Sequence, residues 1–181
     1  MLTLILGGSA SGKSAFAEQY AQKESGGGPL IYVATLPKEG PGNEAIIARH
    51  RKLRENKGFL TIEAERNLGA LGKMHDFSKA TILLECVSNL LANEWFCREH
   101  CTAGREEIVR LTEEEILALA SGCRNLIAVS SLIFEDGMRY DPGTAAYAEG
   151  LGEINRFLLS HADRAAEIVY TVPNVLKGSF C

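Results

Sequence analysis

Residues Gly7-Gly8-Ser9-Ala10-Ser11-Gly12-Lys13-Ser14 set a lysine and a hydroxyl directly behind a glycine-rich turn, in the spacing G-x-x-x-x-G-K-[ST]. Glycines let a backbone wrap a phosphate without side-chain clash, and successive N–H groups then point inward as an anion nest. The helix predicted to follow adds its positive N-terminal end. In such a loop Lys13 reaches the terminal phosphates of a nucleoside triphosphate and the Ser14 hydroxyl coordinates Mg²⁺. The metal is usually held from a second side by an acid at the end of a neighbouring core strand. Glu85, directly after Thr81-Ile82-Leu83-Leu84, has that position.

A second chemical feature is NEAIIARHRKLRENKG, Asn43 to Gly58, which packs Arg49, His50, Arg51, Lys52 and Arg54 into six positions. On a helix His50 follows Ile46 and Ile47 by one turn and precedes Leu53 and Arg54 by one turn, so it borders the apolar stripe. Neighbouring cations disfavour imidazolium, so His50 is expected to stay neutral and keep a lone pair. A neutral imidazole beside phosphate-clamping arginines is suited to attack phosphorus or to act as a base. Taken alone, such a charge run reads as a solvated face. The phosphate loop supplies the anion that changes that reading.

The 181 residues suit one domain, residues 1–181, with a full sheet-and-helix core. A 46% apolar and 23% charged composition is that of a globular chain. The net charge of −4 argues against a nucleic-acid partner. No apolar run approaches the roughly 20 residues of a membrane span, and the N-terminal MLTLILGG lacks the features of a cleaved leader. Five cysteines without repeating spacing point to free thiols in a reducing cytoplasm.

Elements must hold the loop and the basic helix together. Strands are predicted at Thr3 to Leu6, Leu30 to Ala34, Thr81 to Leu84, Asn125 to Ser130 and Ala166 to Val172, with a short edge strand at Thr61 to Glu63. Helices are predicted from Lys13 to Glu24, from an Asn43 cap to Lys57, from Leu68 to Met74, from Val87 to His100, from Glu106 to Ser121 and from Thr144 to Leu159. Thr112 and Glu115 match a capping box, which predicts a joint near Leu111. The alternation predicts an α/β fold with right-handed crossovers and a mostly parallel sheet.

The segments GGSASGKSAFAE (Gly7 to Glu18), YVAT (Tyr32 to Thr35), ARHRKLR (Ala48 to Arg54), GFLTIE (Gly58 to Glu63), ILLEC (Ile82 to Cys86) and YDPGTAAYAEGLGEINRFLLSHAD (Tyr140 to Asp163) together resemble one family. It is the bifunctional adenosylcobinamide kinase/adenosylcobinamide-phosphate guanylyltransferase family of cobalamin biosynthesis. The resemblance implies a P-loop NTPase with a RecA-like sheet, assembled as a homotrimer. It implies phosphorylation of adenosylcobinamide by ATP or GTP, then transfer of GMP from GTP through a covalent GMP–histidine, with Mg²⁺. The family's histidine falls on His50. Its nucleotide contacts fall on Gly7 to Ser14, on Thr35, on Arg51, Lys52, Leu53 and Arg54, and on the carboxylates Glu63 and Glu85. The chain departs from the family pattern at Ser130-Ser131-Leu132, where V-S-N-[DE] is expected, at Thr171, where a glycine is expected, and at Ala10, where some members carry arginine. The first two departures are expected on the corrinoid-facing side, away from the nucleotide.

Two other readings fit the residues without the resemblance. One is another P-loop small-molecule kinase in which His50 is incidental; the other is a nucleotide-responsive assembly module of the RecA type. Cys97, His100 and Cys101 offer only three potential ligands and lack the paired spacing of a zinc site. Asp136, Gly137, Tyr140 and Asp141 read as a turn, or as the wall of an acceptor pocket.

Overall fold

In the computed structural model, residues 1–40, 42–97, 104–133 and 140–180 are described, with backbone alone at Leu53. Apolar runs too continuous to alternate become strands buried on both faces. These are β1 (Leu2–Gly7), β2 (Leu30–Ala34), β4 (Thr81–Glu85), β5 (Asn125–Val129) and β6 (Arg164–Val169), flanked by β3 (Leu60–Glu63) and β7 (Val172–Lys177). The sheet order is β3-β2-β4-β5-β1-β6-β7, parallel except for the β6–β7 pair. The strand carrying Glu85 is therefore separated by β5 alone from β1, which feeds the phosphate loop.

Helix α1 (Lys13–Ser25) covers one face, where Ala17, Tyr20 and Ala21 pack on Ile5, Leu83, Ile127 and Val129. Helices α3 (Leu68–Met74), α4 (Val87–Trp95), α5 (Arg105–Gly122) and α6 (Pro142–His161) cover the other, over Leu4, Leu6, Val33, Ile82, Leu84 and Leu126. Helix α2 (Asn43–Arg54) lies outside both layers and buries only Arg54 among its described side chains.

Several local expectations are corrected. Gly42, not Asn43, caps α2; Asn43 is its first helical residue and donates from Nδ2 to the carbonyls of Pro37 and Glu39, each at 3.0 Å. The helix ends at Arg54 rather than Lys57. There is no joint in α5, because Thr112 Oγ1 bonds the Ile108 carbonyl inside the helix (2.8 Å) and Glu115 accepts from the Leu68 amide (3.2 Å). The final predicted strand is a hairpin, turning at Tyr170 and Thr171, both in the left-handed region. Asp141 is the N-cap of α6, accepting from the Gly143 and Thr144 amides. His100, Cys101, Asp136 and Gly137 lie outside the described residues.

Candidate active site

The phosphate loop is built by close approach. A Cβ at Gly7 would lie 2.8 Å from the Ile168 carbonyl, and Gly12 adopts φ +92° where a side chain would strain. Ala10 also takes a positive φ of 56°. Lys13 folds back so that its Nζ donates to the Gly8 carbonyl at 2.9 Å, across the mouth of the loop. The β6–β7 turn backs the loop: the Thr171 amide donates to the Ser11 carbonyl at 2.8 Å, and the Leu132 amide donates to the Gly7 carbonyl at 3.2 Å. The departures at Thr171 and Leu132 thus touch the nucleotide loop itself. That corrects their expected placement, because sheet order brings the ends of β5 and β6 to either side of β1.

Ser14 at the start of α1 donates its hydroxyl to Glu85 Oε1 at the end of β4. The other carboxylate oxygen, Oε2, is buried with no hydrogen-bond partner. Burial pushes the Glu85 carboxyl above the usual range, against the pull of Ser14 and Lys13. An orphaned, buried carboxylate oxygen beside a hydroxyl is a hard-oxygen donor pair that suits Mg²⁺. These residues fit the expected metal.

Glu85 also lines a cavity of about 280 Å³ between β2, β3, β4 and α2. His50, Arg51, Arg54 and Glu63 share its wall with Tyr32, Lys38, Ile46 and Ile47. The cavity therefore joins the histidine helix to the phosphate loop through one carboxylate. His50 is half-buried, and its basicity is lowered first by burial, then by Arg54 and Arg49. Neutral imidazole was expected from the cations alone; desolvation leads. Arg51 and Lys38 both pair with Glu63, Lys38 at 2.5 Å, which holds that carboxyl below its usual range. Lys52 is exposed on α2 and does not line the cavity. Of Leu53 only the backbone is described.

Thr35 stands behind this wall. It is fully buried, its Oγ1 donates to the Cys86 carbonyl (2.8 Å) and accepts from the Cys86 amide (2.7 Å). Both capacities of its hydroxyl are spent fixing the tip of β4 that aims Glu85. Cys86 is partly exposed, lines the cavity and contacts Ser88 Oγ at 3.0 Å. Sequence reasoning missed Tyr32, whose ring carries the Arg54 guanidinium at 3.4 Å, and Lys38. It also missed Glu18, buried and ion-paired to Lys57 at 2.5 Å. A carboxylate on the buried stripe of α1, between Ala17 and Ala21, was the available signal.

A glycine-rich loop between β1 and α1, with an acid on the second strand over, defines the P-loop NTPase fold with a RecA-like sheet. Solved structures agree on the fold: the "ATPase Domain of G40P" superposes with TM-score 0.51 at 12% identity, covering 92% of this chain and 68% of that one. FlaH from Methanocaldococcus jannaschii (0.49, 13%, 97% and 77%) and the KaiC-like protein PH0186 from Pyrococcus horikoshii OT3 (0.47, 16%, 92% and 69%) are also similar. No curated protein matches the chain. Residues 3–176 match the family "Cobinamide kinase / cobinamide phosphate guanyltransferase", and the chain belongs to that family. It is accordingly a kinase and nucleotidyltransferase of cobalamin biosynthesis acting on a cobinamide.

Proposed function

We propose that the chain phosphorylates adenosylcobinamide with ATP or GTP and then transfers GMP from GTP to the product through a covalent His50–GMP. The observation that carries this reading is the shared cavity of His50, Arg51, Arg54 and Glu85, with Glu85 bonded to Ser14 of the phosphate loop. A triphosphate on Gly7 to Ser14 then runs from Lys13 towards the histidine helix.

Ser14 and Glu85 would hold Mg²⁺, which when bound neutralises phosphate charge. In guanylylation the lone pair of His50 attacks the α-phosphorus, the bond from α-phosphorus to the bridging oxygen breaks, and pyrophosphate leaves. Arg51, Arg54 and Lys13 stabilise the charge that builds on the phosphate oxygens. An oxygen of the acceptor phosphate then attacks the same phosphorus, the N–P bond breaks with its electron pair returning to the ring nitrogen, and the protonated ring thereby leaves as neutral imidazole. Histidine suits both halves, being a good nucleophile and, once protonated, a good leaving group. In the kinase step the acceptor hydroxyl attacks the γ-phosphorus held by Lys13 and releases its proton to solvent, the bond to the β,γ-bridging oxygen breaks, and a nucleoside diphosphate leaves.

The test is the intact-protein mass after exposure to GTP and Mg²⁺. One added GMP, absent from a His50→Ala variant, is the expected result; an unmodified wild-type protein refutes the covalent route. We further propose a cytoplasmic homotrimer. The free thiols of Cys86 and Cys123 suit a reducing compartment, and the exposed Val172, Val175 and Leu176 on edge strand β7 supply an unpaired apolar edge. Light scattering that returns a monomer mass would remove the trimer.

A further inference from the structure

Arg54 is a buried cation that has not taken a carboxylate. Its guanidinium is stacked on Tyr32 at 3.4 Å, the residue is only 7% exposed, and Nε and Nη1 are both buried without a hydrogen-bond partner. Buried charges are normally paired. A buried carboxylate is at hand: Glu18 of α1 is 5% exposed, and its charge, like that of Arg54, reaches His50, Tyr32 and Glu85. Glu18 is already taken by Lys57, with Nζ to Oε2 at 2.5 Å. Lys57 is itself held in place, since its amide donates to the Arg54 carbonyl (3.0 Å) and its carbonyl accepts from Gln22 Nε2 (3.0 Å).

We infer that Lys57, by covering Glu18, and Tyr32, by stacking on the guanidinium, keep Arg54 uncommitted so that its free N–H groups receive a phosphate oxygen of the nucleoside triphosphate. Both are positioning residues that act through Arg54, and the inference rests on the nucleotide reading of the cavity. A guanidinium aligned on an aromatic face keeps its in-plane donors available, because stacking uses only its π face. If Lys57 were lost, Glu18 would be left as a buried charge with Arg54 as the cation able to cover it. An incoming phosphate would then have to break that pair before it could bind.

Calorimetric titration of the whole chain with Mg²⁺ and a GTP analogue carrying methylene at the α,β bridge reads binding without turnover. Lys57→Met is expected to weaken binding about tenfold, the scale of one charge-assisted hydrogen bond. Arg54→Ala is expected to weaken it at least as much, and the double variant no further than Arg54→Ala, because both changes remove one interaction. Tyr32→Phe keeps the stacking and binds as wild type, whereas Tyr32→Leu loses about tenfold. Should Lys57→Met fail to fold, Glu18→Gln with Lys57→Met replaces the ion pair by neutral groups and is expected to bind within about twofold of wild type. Additive losses at 54 and 57, wild-type binding by Lys57→Met, or a weakened Glu18→Gln/Lys57→Met protein would each overturn the inference while leaving the nucleotide site intact. Wild-type protein that does not bind the analogue overturns the inference and the nucleotide reading together.

Discussion

In the proposed guanylyl transfer, protonation of His50 would occupy the attacking lone pair. Burial and then Arg54 hold its titration below the ordinary 6.5, so the folded protein keeps the ring neutral where the unfolded chain begins to protonate it. The rate of GMP addition should therefore stay level through pH 6.5 and fall only in more acid solution. Arg54→Ala should move that fall towards higher pH, read as adduct mass against time across a pH series. The unfolded chain binds the extra proton, so this residue's share of stability is present above 6.5 and is lost as pH falls through the lower folded value. Glu85 shows the opposite sign. Its carboxyl is raised by burial, and one oxygen lacks a partner. Without metal, Glu85→Gln should stabilise the protein by about 1 kcal/mol, raising Tm by roughly 2–4 °C. The same variant should lose the Mg²⁺ dependence of nucleotide binding, and a calorimetric scan with and without Mg²⁺ checks both. The motif residues at this scale were legible because chemistry constrains their spacing. Tyr32 and Glu18 were not, because a stacked guanidinium and a buried ion pair join residues 22 and 39 positions apart.

At the scale of the element, the turn of the hairpin and the phosphate loop are locked together. A Cβ at Gly12 would meet Thr171 Cγ2 at 2.8 Å and would also sit at φ +92°. Gly12→Ala should cost about 2 kcal/mol or more, combining left-handed strain with overpacking. Urea unfolding measures the loss, and nucleotide binding should fall with it. Asp141 does not line the His50 cavity. Removing its cap with Asp141→Ala should cost about 1 kcal/mol and leave GMP addition unchanged. Helix α2 differs from the others in burying so little, which is why its cap and its end were misread. Asn43 is a strong capping type, but its amide is drawn to the carbonyls of Pro37 and Glu39. The capping box in α5 failed for a similar reason: Glu115 is recruited by the Leu68 amide across a helix interface.

Across the whole molecule, the sheet order sets which strand ends meet. β4 stands between β2 and β5, so Leu84 is buried at full depth while the next residue, Glu85, projects into the site. Leu84→Ala should cost about 2–5 kcal/mol, and denaturant unfolding should show it even where Mg²⁺ and nucleotide restore part of the loss. The amino-acid order alone determined the alternating strands and helices, the phosphate loop, the basic helix with His50, and the acid at the end of the Thr81 strand. Each of these follows from local rules: apolar periodicity, glycine's conformational freedom, and fixed spacing of donors. Only the tertiary structure decided that Thr171 and Leu132 bond to the phosphate loop, that the Thr35 hydroxyl is held by the Cys86 backbone, and that Lys57 pairs with Glu18 while Arg54 takes no carboxylate. Those pairings depend on which buried charges and hydroxyls the packed layers bring within hydrogen-bond reach. Separation along the chain carries no information about that distance.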